Sequence, residues 1–522
     1  MLGPAFYRSA GKAVPPAGAL LSFAVFLLVL RVWEGPGGYD VYYYALQIKA
    51  LTLHGKLLFF DFSLVYYVLY LINRLVQNPV LSVQVLSSLS MAVIYYCLIM
   101  MSLRRGFSLY KTAAASIAVF NPASFNLLLE FTKNSFALAL FFLSVLLLSG
   151  GQYARPESGD AAEKGGGRFF RSLVPPLNKK TFFGILAGLA AVFSHRIILI
   201  LMALFFLHRA AGLWKTRRPR EWKPLKFLIA GSGILLALLA LIFWRKCFAG
   251  RMPPLDIQAP IQRLVQLNGH RLWIGERIFY TLLQVSLLFV IPWALIRQRR
   301  PFAPASLFGF LAWAFVFPFL RFSWDGLGFR LLIMAPLFAA PWLIDLEMKQ
   351  GRKAVFLTAA VLFFAGSGFF ISGALQYLAR GKGPDYARHE RELDSLKTLA
   401  AGRRIIAHRG LAGFLWFEKG IRSENFIPPP EEADRYLRLV YFFSPETFEP
   451  YRRDEEPRPR VPGGGYTLVE EYLWQRFYQD RRDIQFLKSE INPWLPRPAS
   501  GFSINEKVAA LMSPASDEFP AP

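Results

Sequence analysis

Two aspartates, Asp40 and Asp61, flank His54 in a stretch that also carries the aromatic runs Tyr42 to Tyr44 and Tyr66-Tyr67. A carboxylate that loses part of its hydration at a membrane surface becomes a stronger base, because desolvation disfavours its charged form; such a base can take the proton of an attacking hydroxyl or amine. Further on, Arg321 and Arg330 bracket Asp325, and an arginine fork suits a lipid-linked phosphate or pyrophosphate, which it binds bidentately. A short polar junction, Glu130-Phe131-Thr132-Lys133-Asn134, separates two apolar runs, and His195-Arg196 interrupts another. Ionisable groups inside apolar runs are costly and usually face a cavity or a partner, here as a substrate contact.

Each of these residues also has a plain structural reading. Asp40 follows a glycine-rich turn and is a good N-cap for a helix over Val41–Leu53; Asp61 can cap Phe62–Val76 in the same way. Glu130 and Lys133, spaced i, i+3, make an ordinary helix-end ion pair. His54 reads as a solvated loop histidine, Arg330 as a side chain snorkelling to the interface, and the tyrosine runs as interface anchors or core. The candidates that follow are Asp40 and Asp61 as catalytic residues, with His54, Glu130, Lys133, His195, Arg196, Arg321, Asp325 and Arg330 as substrate contacts.

The composition says what must carry them. With 54% hydrophobic residues in 522 and a mean hydropathy of +0.33, the chain is too apolar for a soluble protein, whose surface must be charged and mixed. The formal charge of +25 sits largely in short loops between apolar runs, so it reads as a topology signal beside anionic lipid and not as a nucleic-acid surface. The two cysteines, Cys97 and Cys247, support neither a disulfide framework nor a metal site.

The pattern predicts an α-helical polytopic membrane protein. Residues 17–33, preceded by Arg8 and Lys12 and lacking an Ala-x-Ala-like cleavage site, form a retained anchor with its N-terminus in the cytoplasm, which places the Asp40 loop outside. Phe62–Val76 is too short to cross and suits a helix lying in the interface or packed on the bundle. Residues 80–103 return to a basic cytoplasmic turn (Arg104, Arg105, Lys111), and 110–128 and 132–149 meet at the outer face. Gly150–Lys180 is a flexible cytoplasmic linker. Basic clusters at both ends of 181–207 predict two half-helices, a re-entrant pair meeting at His195.

Spans at 225–244, 278–296, 304–320, 328–344 and 354–376 bring the total to about eleven membrane helices within residues 1–377. Arg245 to Arg277 and Arg321 to Arg330 are then external, and Arg297 to Arg300 cytoplasmic. Residues 378–522 are far more polar, with breaks at Pro428–Pro430 and Pro457–Pro462. They are expected to form a small extramembrane α/β domain on the external face, with a short strand near Arg403–His408, a helix over 466–488 and a disordered end. This topology collects Asp40, Asp61, Glu130, Arg321, Asp325 and Arg330 near one membrane face.

The order of these features resembles the GT-C class of integral membrane glycosyltransferases, in particular the protein mannosyltransferase-like and lipid A sugar transferase-like branch. The likeness lies in Gly38-Tyr39-Asp40 with Tyr42 to Tyr44 just after the first span, the turn His54-Gly55, Asp61 to Tyr67, and the Glu130 to Asn134 junction. It covers about residues 1–376 and departs from the family at Asp40, whose nearest acid is Glu34 where many relatives carry an adjacent acidic pair.

The resemblance implies inverting transfer of a hexose or pentose from a polyprenyl-phosphate donor to a lipid, glycan or protein acceptor at the external face. Asp40 would be the base, Asp61 its support and Arg330 a phosphate contact. A divalent metal stays open as a cofactor, with no ligand set for one evident in the sequence. The expected location is the bacterial inner (cytoplasmic) membrane, among membrane lipids. The chain has no Asn-x-Ser/Thr site, which is compatible with that location. The rival function is a transporter or flippase of lipid-linked sugars, against which stand the absence of an internal repeat and the gathering of the acids at one face.

Overall fold

A computed structural model describes residues 4–32, 40–103, 120–148, 179–215, 304–316, 327–345, 404–407, 409–424 and 436–439, with isolated positions between 112 and 119, between 280 and 288, and at 507 and 512. Helices dominate. In chain order they are α1 (Pro4–Val32), α2 (Val41–His54), α3 (Leu64–Val76), α4 (Pro79–Leu103), α5 (Pro122–Glu130), α6 (Thr132–Leu148), α7 (Lys179–Ser194), α8 (Arg196–Lys215), α9 (Pro304–Val316) and α10 (Leu327–Asp345). Among the described residues two stretches are long and apolar enough to cross a membrane, Ala13–Arg31 and Pro79–Leu103; α5 and α6 together form a third candidate, bent by 114°. The expected spans at 225–244 and 354–376, most of 278–296, and the helix at 466–488 lie outside the described residues.

The polar content of α4 explains its central place. Its serines 82, 87, 88, 90 and 102 and Gln84 are all buried, and small or hydroxyl-bearing residues let membrane helices approach and hydrogen-bond. Gln84 donates to the Leu30 carbonyl of α1 at 3.2 Å, and the Ser87 hydroxyl meets that of Thr132 on α6 at 2.9 Å. Beyond α6, Gly184 and Gly188 of α7 form a small-xxx-small stripe. A Cβ on Gly188 would come within 2.7 Å of Met202 and 2.9 Å of the Ser144 hydroxyl, while Ser144 donates to the Gly184 carbonyl at 2.8 Å. Stacked phenylalanines then join α6 to α9 and α10: Phe141 with Phe338 at 5.8 Å, Phe142 with Phe308 at 6.1 Å.

Three boundaries differ from expectation. The segment 110–128 breaks at Asn121, whose side chain accepts from the Ala123 and Ser124 amides with Pro122 at the first helical position; an N-cap followed by proline favours a new helix start over a continuous run. The break at His195 is present, but α8 continues to Lys215 and has 20 residues, about 30 Å at 1.5 Å per residue, which is longer than a half-span. The third is α1, which begins at Pro4, ahead of the expected span.

The tail contributes β1 (Arg404–Ala407), α11 (Arg409–Lys419), β2 (Ser423–Glu424) and β3 (Tyr436–Leu439). The strands form a parallel sheet in the order β2-β1-β3, so α11 is the crossover that a parallel β1–β2 pair requires. Its apolar face does not turn away from the bundle: α11 packs on α2.

Candidate functional site

Asp61 lies in the extended segment between α2 and α3, and its carboxylate is saturated with donors. Lys133, from the first turn of α6, reaches both oxygens at 3.0 and 2.7 Å; the Tyr66 hydroxyl donates at 2.9 Å and the Ser63 amide at 3.0 Å. Asp61 therefore does not cap α3. Ser63 occupies the N-cap position, and Asp61 closes an Asx turn onto it. Lys133 likewise pairs across the fold with Asp61, not along the helix with Glu130, because the chain turns by 114° between α5 and α6 and i, i+3 adjacency is lost at such a break.

From Asp61 a chain of hydroxyls runs to α2. The Tyr66 and Tyr43 hydroxyls meet at 3.2 Å, and the Gln47 amide reaches Tyr43 at 3.5 Å. Gln47 also pins the Asp61 segment by pairing with both backbone groups of Phe59, at 3.0 and 3.1 Å. Burial pushes the Tyr66 phenol well above the ordinary tyrosine range, with Tyr43, Tyr44 and the Asp61 charge adding to the effect, so Tyr66 stays a neutral donor. Tyr43, Tyr44 and Tyr66, expected as anchors or core, are buried as core residues are and also form the polar wiring of the site.

Asp40 heads α2 and is buried. It occupies the N-cap position, but its carboxylate does not cap the helix; its backbone carbonyl accepts from the Tyr44 amide at 3.0 Å. Residues four apart share a helix face, so Asp40 is aligned with Tyr44, whose hydroxyl accepts from the Lys133 amide at 3.3 Å. The first turn of α2 thereby meets the first turn of α6.

The bend between α5 and α6 also receives α10. The Arg330 guanidinium lies over the Phe131 ring, 5.1 Å from its centroid. Its Nε is buried and has no hydrogen-bond acceptor among the described residues. The Asn134 amide nitrogen, three residues along, is buried in the same unsatisfied state. A buried donor without an acceptor is expensive, and a guanidinium held over an aromatic ring keeps its charge and its donors available for an anion.

The break between α7 and α8 closes the group. His195 Nδ1 accepts from the Ile197 amide at 3.2 Å and so caps α8, while the preceding Ser194 carbonyl accepts from the Ser63 hydroxyl at 2.7 Å. His195 is thus a cap set beside the Asp61 segment. His54, in contrast, closes α2 at its far end, where Gly55 turns with φ +65°; by helix rise that is roughly 15 Å beyond Tyr44, away from the cluster. Glu130 ends α5 and Arg196 opens α8, with side chains beyond the described residues, as are Arg321 and Asp325 altogether. Among the described residues no three His, Cys, Asp or Glu side chains converge as metal ligands do.

Sequence reasoning missed Tyr43, Tyr44, Tyr66, Gln47 and Ser63 as site residues. Their signal was weak: only the recurrence of hydroxyls on the helices on either side of Asp61 sets them apart from interface aromatics. No protein-family model matches the chain, and no curated protein matches it.

Proposed function

We propose that the protein is a membrane glycosyltransferase of the GT-C kind, with about eleven membrane helices and an extramembrane α/β tail, resident in the bacterial inner membrane. It moves a hexose or pentose from a polyprenyl-phosphate donor to an acceptor at the external face. The observation that carries this reading is what gathers at the α5–α6 bend: Tyr44 of α2, one turn after the buried Asp40, bonds the Lys133 amide; Asp61 is immobilised by the Lys133 side chain; and Arg330 lies over Phe131 with a buried Nε that has no acceptor among the described residues.

In this reading Asp40 is the base. Asp61 is unsuited to that task, because both of its oxygens are already taken up by Lys133, Tyr66 and the Ser63 amide; it fixes Lys133 and Tyr66 instead. The acceptor hydroxyl or amine forms a bond to the anomeric carbon as the bond to the phosphate oxygen breaks. The leaving phosphate keeps that electron pair, Asp40 takes the acceptor's proton, and direct displacement inverts the anomeric configuration. Arg330 binds the phosphate and offsets the charge that builds on it.

The broken helix pair at His195, tied to Ser63, favours the transporter as second reading, since discontinuous helices mark transport sites. Purified protein offered a panel of polyprenyl-phosphate sugars with candidate acceptors decides between them. Release of the polyprenyl phosphate supports the transferase; intact donor that crosses the bilayer of proteoliposomes overturns it in favour of the transporter.

A further inference from the structure

The helix that heads the candidate site is held from a second side by the tail. Tyr42, Leu46, Lys49 and Ala50 recur at i, i+4, i+7 and i+8 along α2, one continuous face, and every one of them meets tail residues. Tyr42 packs against Phe414 at 5.2 Å and Phe417 at 5.9 Å. Leu46 and Ala50 are buried in one cluster with Leu58, Trp416 and Met512. Lys49 donates to the Phe417 carbonyl at 3.0 Å and lies 5.2 Å from its ring. That carbonyl belongs to the last turn of α11, where carbonyls lack helical partners and a cation is favoured.

The contact is close. A Cβ on Gly413 would stand 3.0 Å from the Tyr42 Cβ and 3.4 Å from the Tyr43 amide, so any larger side chain at this position must push α11 or Tyr42 back, the more so the bulkier it is. Trp416 meanwhile packs edge-on against Phe59 at 6.1 Å. The tail thus touches both segments that carry the acids: α2 two residues after Asp40, and the Asp61 segment at Phe59. Phe59 stacks in turn on Tyr43 at 5.2 Å.

We infer that α11 is a positioning element of the site, seating the first turn of α2 and the Asp61 segment so that Asp40 and Tyr66 keep their alignment. The catalytic part of this inference rests on the transferase reading; the mechanical part does not. A tail that merely covered the bundle would need neither the glycine contact nor the lysine tie on the helix that begins at Asp40.

The test uses full-length protein in detergent and compares wild type with Gly413→Leu, Gly413→Ala and Lys49→Met. Hydrogen exchange is read over residues 41–61, together with kcat and KM for the donor. Gly413→Leu is expected to raise exchange across 41–61 several-fold and to lower kcat roughly 10- to 100-fold, as small misplacements of reacting groups do, with the donor KM within about twofold because Arg330 is carried by α10 and lies over Phe131, neither of them part of α2 or α11; Gly413→Ala falls between wild type and the leucine variant. Exchange that rises only within 404–424, or a donor KM that rises while kcat holds, overturns the inference. Should Gly413→Leu fail to insert, Lys49→Met decides by the same two readouts. If wild type transfers no sugar, the exchange result still tests the mechanical coupling, so failure of the transferase reading is seen separately.

Discussion

Lys133 stands at the junction of helix ends and loop, and its partner defines its energy. With 24% of its side chain exposed and 19% of Asp61's, the pair lies between a surface ion pair, worth little, and a buried one, costly to break. Lys133→Met is therefore expected to destabilise by about 1–3 kcal/mol, since it leaves a partly desolvated carboxylate short of a charged donor, and Asp61→Asn on top of it should restore part of that. A double-mutant cycle from chemical unfolding in detergent checks this; strict additivity would contradict it. Tyr66 makes a pH prediction. Its phenol holds its proton more tightly folded than unfolded, so its contribution is fully present below the ordinary tyrosine pKa of about 10 and is lost above it as the unfolded chain ionises. Wild type should lose more stability than Tyr66→Phe between about pH 9 and pH 11, and equal losses would contradict the burial of a neutral phenol.

The elements themselves depend on close approach. Gly188→Ile is expected to separate α7 from α6, because its side chain would meet Met202 and Ser144. Its effect should exceed the loss of about 1–3 kcal/mol typical of overpacking, and proteolysis at the α7–α8 break gives a direct readout; cleavage as slow as in wild type would contradict the packing. Much at this scale was legible in the sequence. The apolar runs gave α1 and α4, the short amphipathic run gave α3, and a charged dipeptide in an apolar stretch marked the break at His195. What stayed hidden depended on tertiary geometry. Nothing in the spacing of Glu130 and Lys133 discloses a 114° bend between them, and nothing near Asp61 says that its partner lies on α6. The second helix start at Asn121-Pro122 was readable as an N-cap with proline at N1, but continuous apolarity overrode it.

At the scale of the molecule, a bundle, a loop and a tail converge on one short helix. α2 is buried on nearly all sides, as a largely apolar helix must be: one side goes to α3, α4 and the Asp61 segment, the other to α11. The sequence divided the chain at about residue 377 on composition alone. Composition is blind to a glycine that lets a tail helix seat against Tyr42. Chemistry at one end of this helix is tested most directly by one comparison: purified wild type against Asp40→Asn, matched for insertion, turning over polyprenyl-phosphate sugar with acceptor. The substitution keeps size and shape and removes the base, so kcat should fall by roughly 100-fold or more while the donor KM changes little. Undiminished turnover by Asp40→Asn, with collapse in Asp61→Asn, would contradict the assignment.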